Sequence, residues 1–522
     1  MLIIASLGAN VSPWVTVGFA LLLAGLIICL ALEEKIHAKK SIIAGVFAIV
    51  CLLLGAIAGI LPFDQVVVGS HEAVPPNEAV EIEYVHDEDG HREKTTVGGE
   101  AKTEGHSDEH SAQQSLHIGG HRISMPVYIP GINWGVIAII LGSSLFVDVT
   151  SKSGLFTWIA IRVTKASAGD PLKLLVFYGI MTVVFSAVLN NVTAMIIVGS
   201  LTAVSLEKLQ RKDQLLGFLL IEGLLTNVGG LLTLISSVPN IIIGTTANIS
   251  FVTFFMKAAP YVVLSTAVTL WLGARLWKIG RLKTAEARQT ARELVSGFDE
   301  TDGVESWGFF WFGTAMLILF IIVIATASVL PFGINHLGMG FVALAFAGVM
   351  LVRFKSDVDR FYKNIDWDLL GFFMALFVVI YVMEHAQVLA RIGDGIQAVL
   401  LDRSFASASG NKLDATVLLI GSAAFSSVTD NIPLAAMLAS ILDTLGAPQS
   451  SGVWWSVIFG ANLGGNITPI GSASTLVAVT IIHKHKLHMT FGGFVKAALP
   501  FAIVQIVMAA LYVLFVLPWL PG

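Results

Sequence analysis

Charge is scarce in these 522 residues. Only 13% are Asp, Glu, Lys or Arg, about half the share of a soluble domain, while 55% are hydrophobic and mean hydropathy is +0.80. Several apolar runs exceed the roughly 18 residues needed to cross a hydrocarbon core, which excludes a soluble globular chain. The formal net charge of −5 belongs to connecting loops and marks no binding face; no nucleic-acid partner is expected. Cysteine is nearly missing as well. Cys29 and Cys51 both lie inside apolar runs, which rules out a disulfide framework or a cysteine metal site. No basic segment precedes the first apolar stretch, so no cleavable leader is expected and the first span is read as a retained helix. A Ser/His pair, HExxH and paired catalytic aspartates at matched depth are all lacking, so the chain is not read as an enzyme.

What remains is a polytopic, all-α membrane protein of about 11 spans. Apolar stretches fall near 14–32, 41–62, 132–149, 172–204, 214–247, 252–277, 306–331, 336–353, 367–383, 413–445, 453–482 and 492–519. Loops 35–40, 208–212, 275–292 and 353–363 are rich in Lys and Arg and are placed in the cytoplasm. Segment 63–127 has four Lys/Arg against thirteen Asp/Glu, and is placed outside. Threading these assignments makes 172–204 and 413–445 re-entrant hairpins from opposite faces, and puts both chain ends outside. The resulting organisation is two N-terminal helices (1–62), an acidic loop (63–127), a first repeat (128–278), a cytoplasmic linker (279–305) and a second repeat (306–522).

Segment 63–127 also holds seven of the thirteen histidines. Without fixed ligand spacing it is read as a disordered polar loop, ahead of a loose metal sponge or a pH-sensitive flap. His483, His485 and His488 are read as a basic cap on a span end, and Trp454 and Trp455 as interface anchors.

The two halves can be laid over one another. VLNNVTAM (188–195) followed by TNVGGLLTLISSVPNIIIG (226–244) corresponds to TDNIPLAAM (429–437) followed by ANLGGNITPIGSASTLVAV (461–479). Asn191 pairs with Asn431, Asn227 with Asn462, and Gly229 and Gly230 with Gly464 and Gly465. Thr233 pairs with Thr468, Ser236 and Ser237 with Gly471 and Ser472, and Asn240 with Thr475. Upstream, GINWGVIAIILG (131–142) resembles IDWDLLGFFMAL (365–376). Each half thus runs helix, polar-tipped hairpin, Gly-Gly broken helix. Inverted repeats with discontinuous helices mark secondary transporters.

Backbone that leaves a helix in the membrane must be buried in protein or line a wet cavity. The candidate ion-binding set is therefore Asn190, Asn191, Thr193, Asn227, Gly229, Gly230, Thr233, Ser236, Ser237 and Asn240 from the first half. The second half supplies Asp430, Asn431, Asn462, Gly464, Gly465, Thr468, Gly471, Ser472, Ser474 and Thr475. Hydroxyl, amide and carbonyl oxygens suit a partly dehydrated Na⁺, whereas exposed half-helix N-termini suit an anion; both readings stand at this level. Asp430 is read as a helix cap that also binds a cation or proton, since an intramembrane carboxylate is expensive. Its counterpart, Asn190, cannot titrate. Glu222, on the first broken helix, is the second proton-coupling candidate. Asp148 and Glu384 lie near span ends and are read as reaching to water.

These motifs, with SSVTDNIPLAAM and HKLHMTFGGFVKAALPF, resemble the ion-transporter superfamily. It comprises arsenite-efflux pumps, NhaD-type sodium/proton antiporters, citrate-type permeases and the branch of the melanosomal P protein. The resemblance covers roughly 130–520 and implies a scaffold domain, a transport domain with two opposed hairpins, elevator movement and a homodimer. Asn190 stands where the P-protein branch carries Asp. The function implied is secondary ion transport without a resident cofactor: cation/proton antiport with Na⁺ or H⁺ as coupling ion, or an anion permease of the arsenite, citrate or dicarboxylate class. A channel is the remaining alternative. The partners are the lipid bilayer and a small ion, and the membrane is read as a bacterial plasma membrane.

Overall fold

The computed structural model describes residues 11–61, 66–68, 82–86, 92–96, 121–123, 128–327, 334–354, 358–399, 412–429 and 431–520. Asp430 lies outside the described residues. Two units separate, one of residues 1–60 with 131–522 and the other 61–130. In the second, expected as a structureless loop, the described residues form two antiparallel pairs. Val66–Val68 pairs with His121–Ile123, and Ile82–His86 with Arg92–Thr96.

The first unit is helical. Eight of its helices among the described residues are long and apolar enough to cross a membrane. The first hairpin comprises Pro171–Val188 and Asn191–Lys208, and its start and turn are encoded locally. Asp170 caps the first arm, accepting from Lys173 N at 3.1 Å, and Pro171 follows at the first helical position, where its missing N–H costs nothing. Leu189 and Asn190 turn extended, and Asn190 Oδ1 accepts from Thr193 N at 2.7 Å to cap the return arm. Both ends of this hairpin rest on the linker. Asp170 Oδ2 accepts from Leu282 N at 3.0 Å, and Lys208 Nζ lies 4.2 Å over the Phe298 ring. The hairpin therefore enters and leaves on one side, as a re-entrant element requires.

The second hairpin, Lys412–Ser426 and Asn431–Thr444, has arms of 15 and 14 residues against 18 and 18 in the first.

Each hairpin packs on a broken helix. Leu215–Gly230 is interrupted before Val238–Thr246, and Gly452–Gly464 before Ala473–Lys484. Glycine permits the contact. A Cβ on Gly229 would stand 2.7 Å from the Val183 backbone, and one on Gly464 would stand 2.3 Å from Ala423 O. With little hydrophobic force between helices in lipid, such close approach is what holds them. Around this assembly lie Trp134–Ser151, which packs on Ile334–Arg353, and Trp367–His385, which packs on Lys40–Ile57. The N-terminal pair is tied to the second repeat by Thr16 Oγ1 donating to Ala386 O at 3.0 Å and by the Ser41 hydroxyl on Asp368. Trp454 and Trp455, expected at the interface, are instead buried. Trp454 Nε1 donates to Pro448 O at 3.0 Å, and Trp455 packs 5.1 Å from Phe254, because the second broken helix runs through the protein interior.

Candidate functional site

The hairpin tips and both helix breaks converge on one cavity of about 350 Å³. From the candidate set it is lined by Asn190, Asn191, Thr193, Asn227, Ser236, Ser237, Asn431, Ser472 and Ser474. Its remaining wall comes from Trp134–Ser151, through Ser143, Ser144 and Asp148, and from the start of Trp367–His385, through Asp366 and Leu369. Asp148 therefore faces this cavity rather than reaching out to bulk water. Asp366 caps its helix by accepting from Leu369 N at 2.9 Å. Among the described lining residues there is no Lys, Arg or His.

Four helices begin at this wall: Asn191–Lys208, Val238–Thr246, Asn431–Thr444 and Ala473–Lys484. Each carries an equivalent of about half a positive charge at its N-terminus, with Thr193 N and Thr475 N capped by Asn190 and Ser472. The cavity thus joins four positive helix ends to two carboxylates.

The other candidates stand behind the wall and hold it. Thr233 Oγ1 donates to Ala187 O at 2.5 Å, and Thr468 Oγ1 to Ser427 O at 2.5 Å. Ser186 Oγ donates to Thr226 O at 2.7 Å, and Ser426 Oγ to Ala461 O at 2.6 Å. Asn240 Nδ2 donates to Gly230 O at 2.7 Å; its counterpart Thr475 Oγ1 donates most closely to Ser472 O at 2.7 Å and lies 3.5 Å from Gly465 O. In the repeat register the first two pairs are the same bond made twice, each tying a hairpin tip to its own broken helix, whereas Asn240 and Thr475 share only the contact to the unwound glycine carbonyl, which is longer from Thr475. A Cβ on Gly471 would stand 3.0 Å from the Gly465 Cα and from Ser426 O, so glycine lets this break close tightly on the hairpin tip.

Two further bonds cross between the repeats. Asn227 Nδ2 donates to Ser472 Oγ at 2.9 Å, and Ser237 Oγ donates to Asn462 Oδ1 at 2.8 Å. In the sequence register Asn227 corresponds to Asn462 and Ser237 to Ser472, so each break contacts the other through a reciprocal bond. Asn227 also accepts from Ser474 Oγ at 3.0 Å and from Asn191 Nδ2 at 3.3 Å, and donates to Asn466 Oδ1 at 2.9 Å. Asn462 Nδ2 reaches Asn240 Oδ1 at 2.9 Å.

Sequence reasoning passed over Asn466 and Gln505. Asn466 Nδ2 donates to Gln505 Oε1 at 2.8 Å, and Gln505 Nε2 to Thr269 Oγ1 at 2.9 Å, extending the network to Phe491–Phe515 and Phe251–Leu276. The signal was present: Gln505 is a lone amide in an apolar run, which needs a partner inside a membrane. Glu222 is fully buried and lies away from the cavity lining. Glu384 is half-buried in the last turn of its helix, outside the cavity.

Comparison with known proteins agrees with this architecture. The profile of the citrate transporter family CitMHS matches residues 116–460. An uncharacterized transporter of Mycobacterium tuberculosis is 30% identical over 392 residues, spanning 73% of this chain and 86% of that one. A 46 kDa membrane protein of Mycobacterium leprae is 28% identical over the same shares of the two chains. The human P protein is 24% identical over 474 residues, 77% of this chain and 56% of that one. In three dimensions the chain is similar in fold to the YdaH transporter of Alcanivorax borkumensis, with a TM-score of 0.53 at 10% identity over 91% of this chain and 98% of that one. The chain belongs to the citrate transporter (CitMHS) family and is an integral, multi-pass membrane transporter, not an enzyme.

Proposed function

We propose that this chain is a secondary active permease for a small carboxylate anion of the citrate class, moved together with cations or protons. The observation that carries this reading is the convergence of four helix N-termini on one cavity. Helix ends favour negative charge by about 0.3–1 kcal/mol each, and more when partly buried. The cavity volume, about 350 Å³, falls within the range of small-molecule sites. A multiply charged anion meets no Lys, Arg or His among the described lining residues, so its remaining charge needs accompanying cations. Asp148 and Asp366 give those cations ligands.

A second reading, cation/proton antiport, is favoured by the same two carboxylates and by the oxygen-rich lining. Asp430 and Glu222 are its coupling candidates, and Na⁺ or H⁺ its coupling ion. In either case the hairpins and broken helices move as one body past the surrounding helices. Their mutual hydrogen bonds support this elevator reading, because they tie the tips to the breaks more tightly than to Trp134–Ser151 or Trp367–His385. A homodimer in a bacterial inner membrane completes the proposal.

The test is uptake into proteoliposomes. Labelled citrate that accumulates only with a Na⁺, divalent-cation or proton gradient supports the permease reading. Citrate inertness, with proton efflux on adding Na⁺, Li⁺ or K⁺, moves the assignment to antiport.

A further inference from the structure

Glu222 sits in the middle of Leu215–Gly230 and is fully buried. Thr202 Oγ1 donates to its Oε1 at 2.6 Å, while Oε2 has no hydrogen-bond partner among the described residues. Among the described residues no Lys, Arg or His acts on it electrostatically. The titratable group that faces it is the Tyr178 phenol of the first hairpin. From the second broken helix Ala478 packs beside Gly223, and from Phe251–Leu276 Gly273 packs on Ile221.

Thr202 and Ser205 are three residues apart on one face of Asn191–Lys208. Thr202 holds Glu222; Ser205 Oγ lies 2.7 Å from Tyr178 Oη. The other neighbour of Tyr178 Oη is Thr164 Oγ1 at 2.5 Å. Next comes Ser167, whose Oγ donates to Thr164 O at 2.6 Å and accepts from Gly169 N at 3.1 Å. Gly169 packs on Ala291 of the linker, beside the Asp170–Leu282 contact. Three buried hydroxyls, Ser205, Tyr178 and Thr164, are therefore hydrogen-bonded in line between the neighbourhood of Glu222 and the linker face, where Ser167 bonds the Thr164 carbonyl and Thr164 Oγ1 also meets Ala160 O at 2.8 Å.

The fold does not need this file. In the repeat register Tyr178 corresponds to Leu418, Thr202 to Leu442, Ser205 to Leu445 and Glu222 to Val457. The second repeat builds the same arm and the same broken helix with apolar side chains, of which Leu418, Leu442 and Val457 are buried. A structural role would be served as well by valine, and better, since a buried carboxylate without a counter-ion is unfavourable.

We infer that Glu222 is a proton-binding site of the transport cycle, separate from the substrate cavity and loaded from the linker face past Ser167, Thr164, Tyr178 and Ser205. Loading forms an O–H bond on Oε2 as an O–H bond of an adjacent water breaks; unloading reverses this, and Ser205, Tyr178 and Thr164 each accept one proton and pass one on. Water carries the proton across the two gaps, between Ser205 and Glu222 and between Thr164 and Ser167. Its state is felt at the cavity because Asn227 lies five residues further along the same helix. This inference rests on the reading that transport is proton-coupled, and deepens it.

Infrared difference spectroscopy of the full chain in liposomes across a pH step tests it without any substrate. The carbonyl stretch of a protonated carboxylic acid is expected in the wild type and missing in Glu222→Gln; identical bands in both overturn the assignment. Tyr178→Phe, which keeps the ring volume, is expected to slow deuterium exchange of that band, and unchanged exchange overturns the route. In dye-loaded proteoliposomes Glu222→Gln is expected to lose substrate-driven proton flux while labelled-substrate counterflow persists; wild-type proton flux in the variant overturns the coupling role. A wild type that moves no protons with citrate or any cation sinks the functional reading, while the infrared band still decides whether Glu222 holds a proton.

Discussion

Replacing Asn227 with alanine removes four hydrogen bonds from a fully buried side chain, those to Asn466, Ser472, Ser474 and Asn191. Polar bonds between helices in membrane proteins average about 0.6 kcal/mol, with a maximum near 1.7, so the four together contribute about 2–3 kcal/mol. Asn466 Oδ1 takes its hydrogen bond from Asn227, and an orphaned buried acceptor costs a further 1 kcal/mol or so. The expected loss is about 3–4 kcal/mol, read from equilibrium unfolding in mixed micelles. Asn462→Ala, which deletes the interhelical bonds to Asn240 and Ser237, is expected to cost about half as much. The sharper measure is the pair of double-mutant cycles, Asn227 with Ser472 and Asn462 with Ser237. Each is expected to return a coupling of about 0.6 kcal/mol, at most about 1.7. Transport separates the two asparagines. Asn227 lines the cavity and Asn462 stands behind it, so at equal amounts of folded protein Asn227→Ala raises the half-saturation concentration and Asn462→Ala leaves it unchanged. Couplings near zero in both cycles would refute the claim that the two breaks brace each other.

Glycine at the breaks gives a second comparison. Gly464→Ala drives a Cβ to 2.3 Å from Ala423 O and is expected to cost about 1–3 kcal/mol or more. Gly421→Ala, with nothing within 4 Å, is expected to be neutral or stabilising in the same unfolding assay. Asp366→Asn keeps the helix cap and removes only its charge; weaker cation stimulation of citrate uptake with unchanged stability is expected, and unchanged stimulation removes Asp366 from the cation site. In the linker, the N–H and hydroxyl of Thr301 hold the Asp299 carboxyl below the usual carboxylate range. A lowered folded value means that this turn is fully stabilised above the ordinary range and loses the contribution as pH falls through the folded value. Limited proteolysis of the linker should therefore accelerate on acidification, and Thr301→Ala should move that onset to higher pH.

Much of this site could be read from the chain because its motifs are polar exceptions in an apolar background. Gly-Gly pairs, Asn191 with Asn431, and Thr233 with Thr468 are visible because each interrupts a hydrophobic run at matched spacing. Their assignment as one ligand shell did not separate two roles. Thr233, Asn240, Asn462, Thr468 and Thr475 hydrogen-bond backbone and neighbours behind the wall, whereas Asn190, Asn191 and Asn227 line it. Spacing along one chain gives register, not which face of a helix meets a cavity. Asp148 and Asp366 were not placed at the cavity for the same reason: their helices form the upstream pair at 131–142 and 365–376, whose match gives register but not which side chains tertiary packing turns toward the cavity. Trp454 and Trp455 were misplaced because tryptophan near a span end is ordinarily an interface residue, while here it fills an interior contact with Phe254 and Pro448.

The correspondence between the repeats also separates architecture from chemistry. Where both halves use the same bond, as in Ser186 to Thr226 and Ser426 to Ala461, the partner is backbone that left a helix and needs satisfying whatever is transported. Where the halves differ, no such need exists. Tyr178, Thr202, Ser205 and Glu222 face Leu418, Leu442, Leu445 and Val457 across the register, and Asn190 faces Asp430. Alternating access asks the two hairpins to exchange roles as gates, which symmetry serves. Coupling asks that a proton or cation be bound from one side and released to the other, which symmetry does not supply. The ionisable groups lie in the asymmetric set, and that is where variants that uncouple transport without unfolding the protein are to be found.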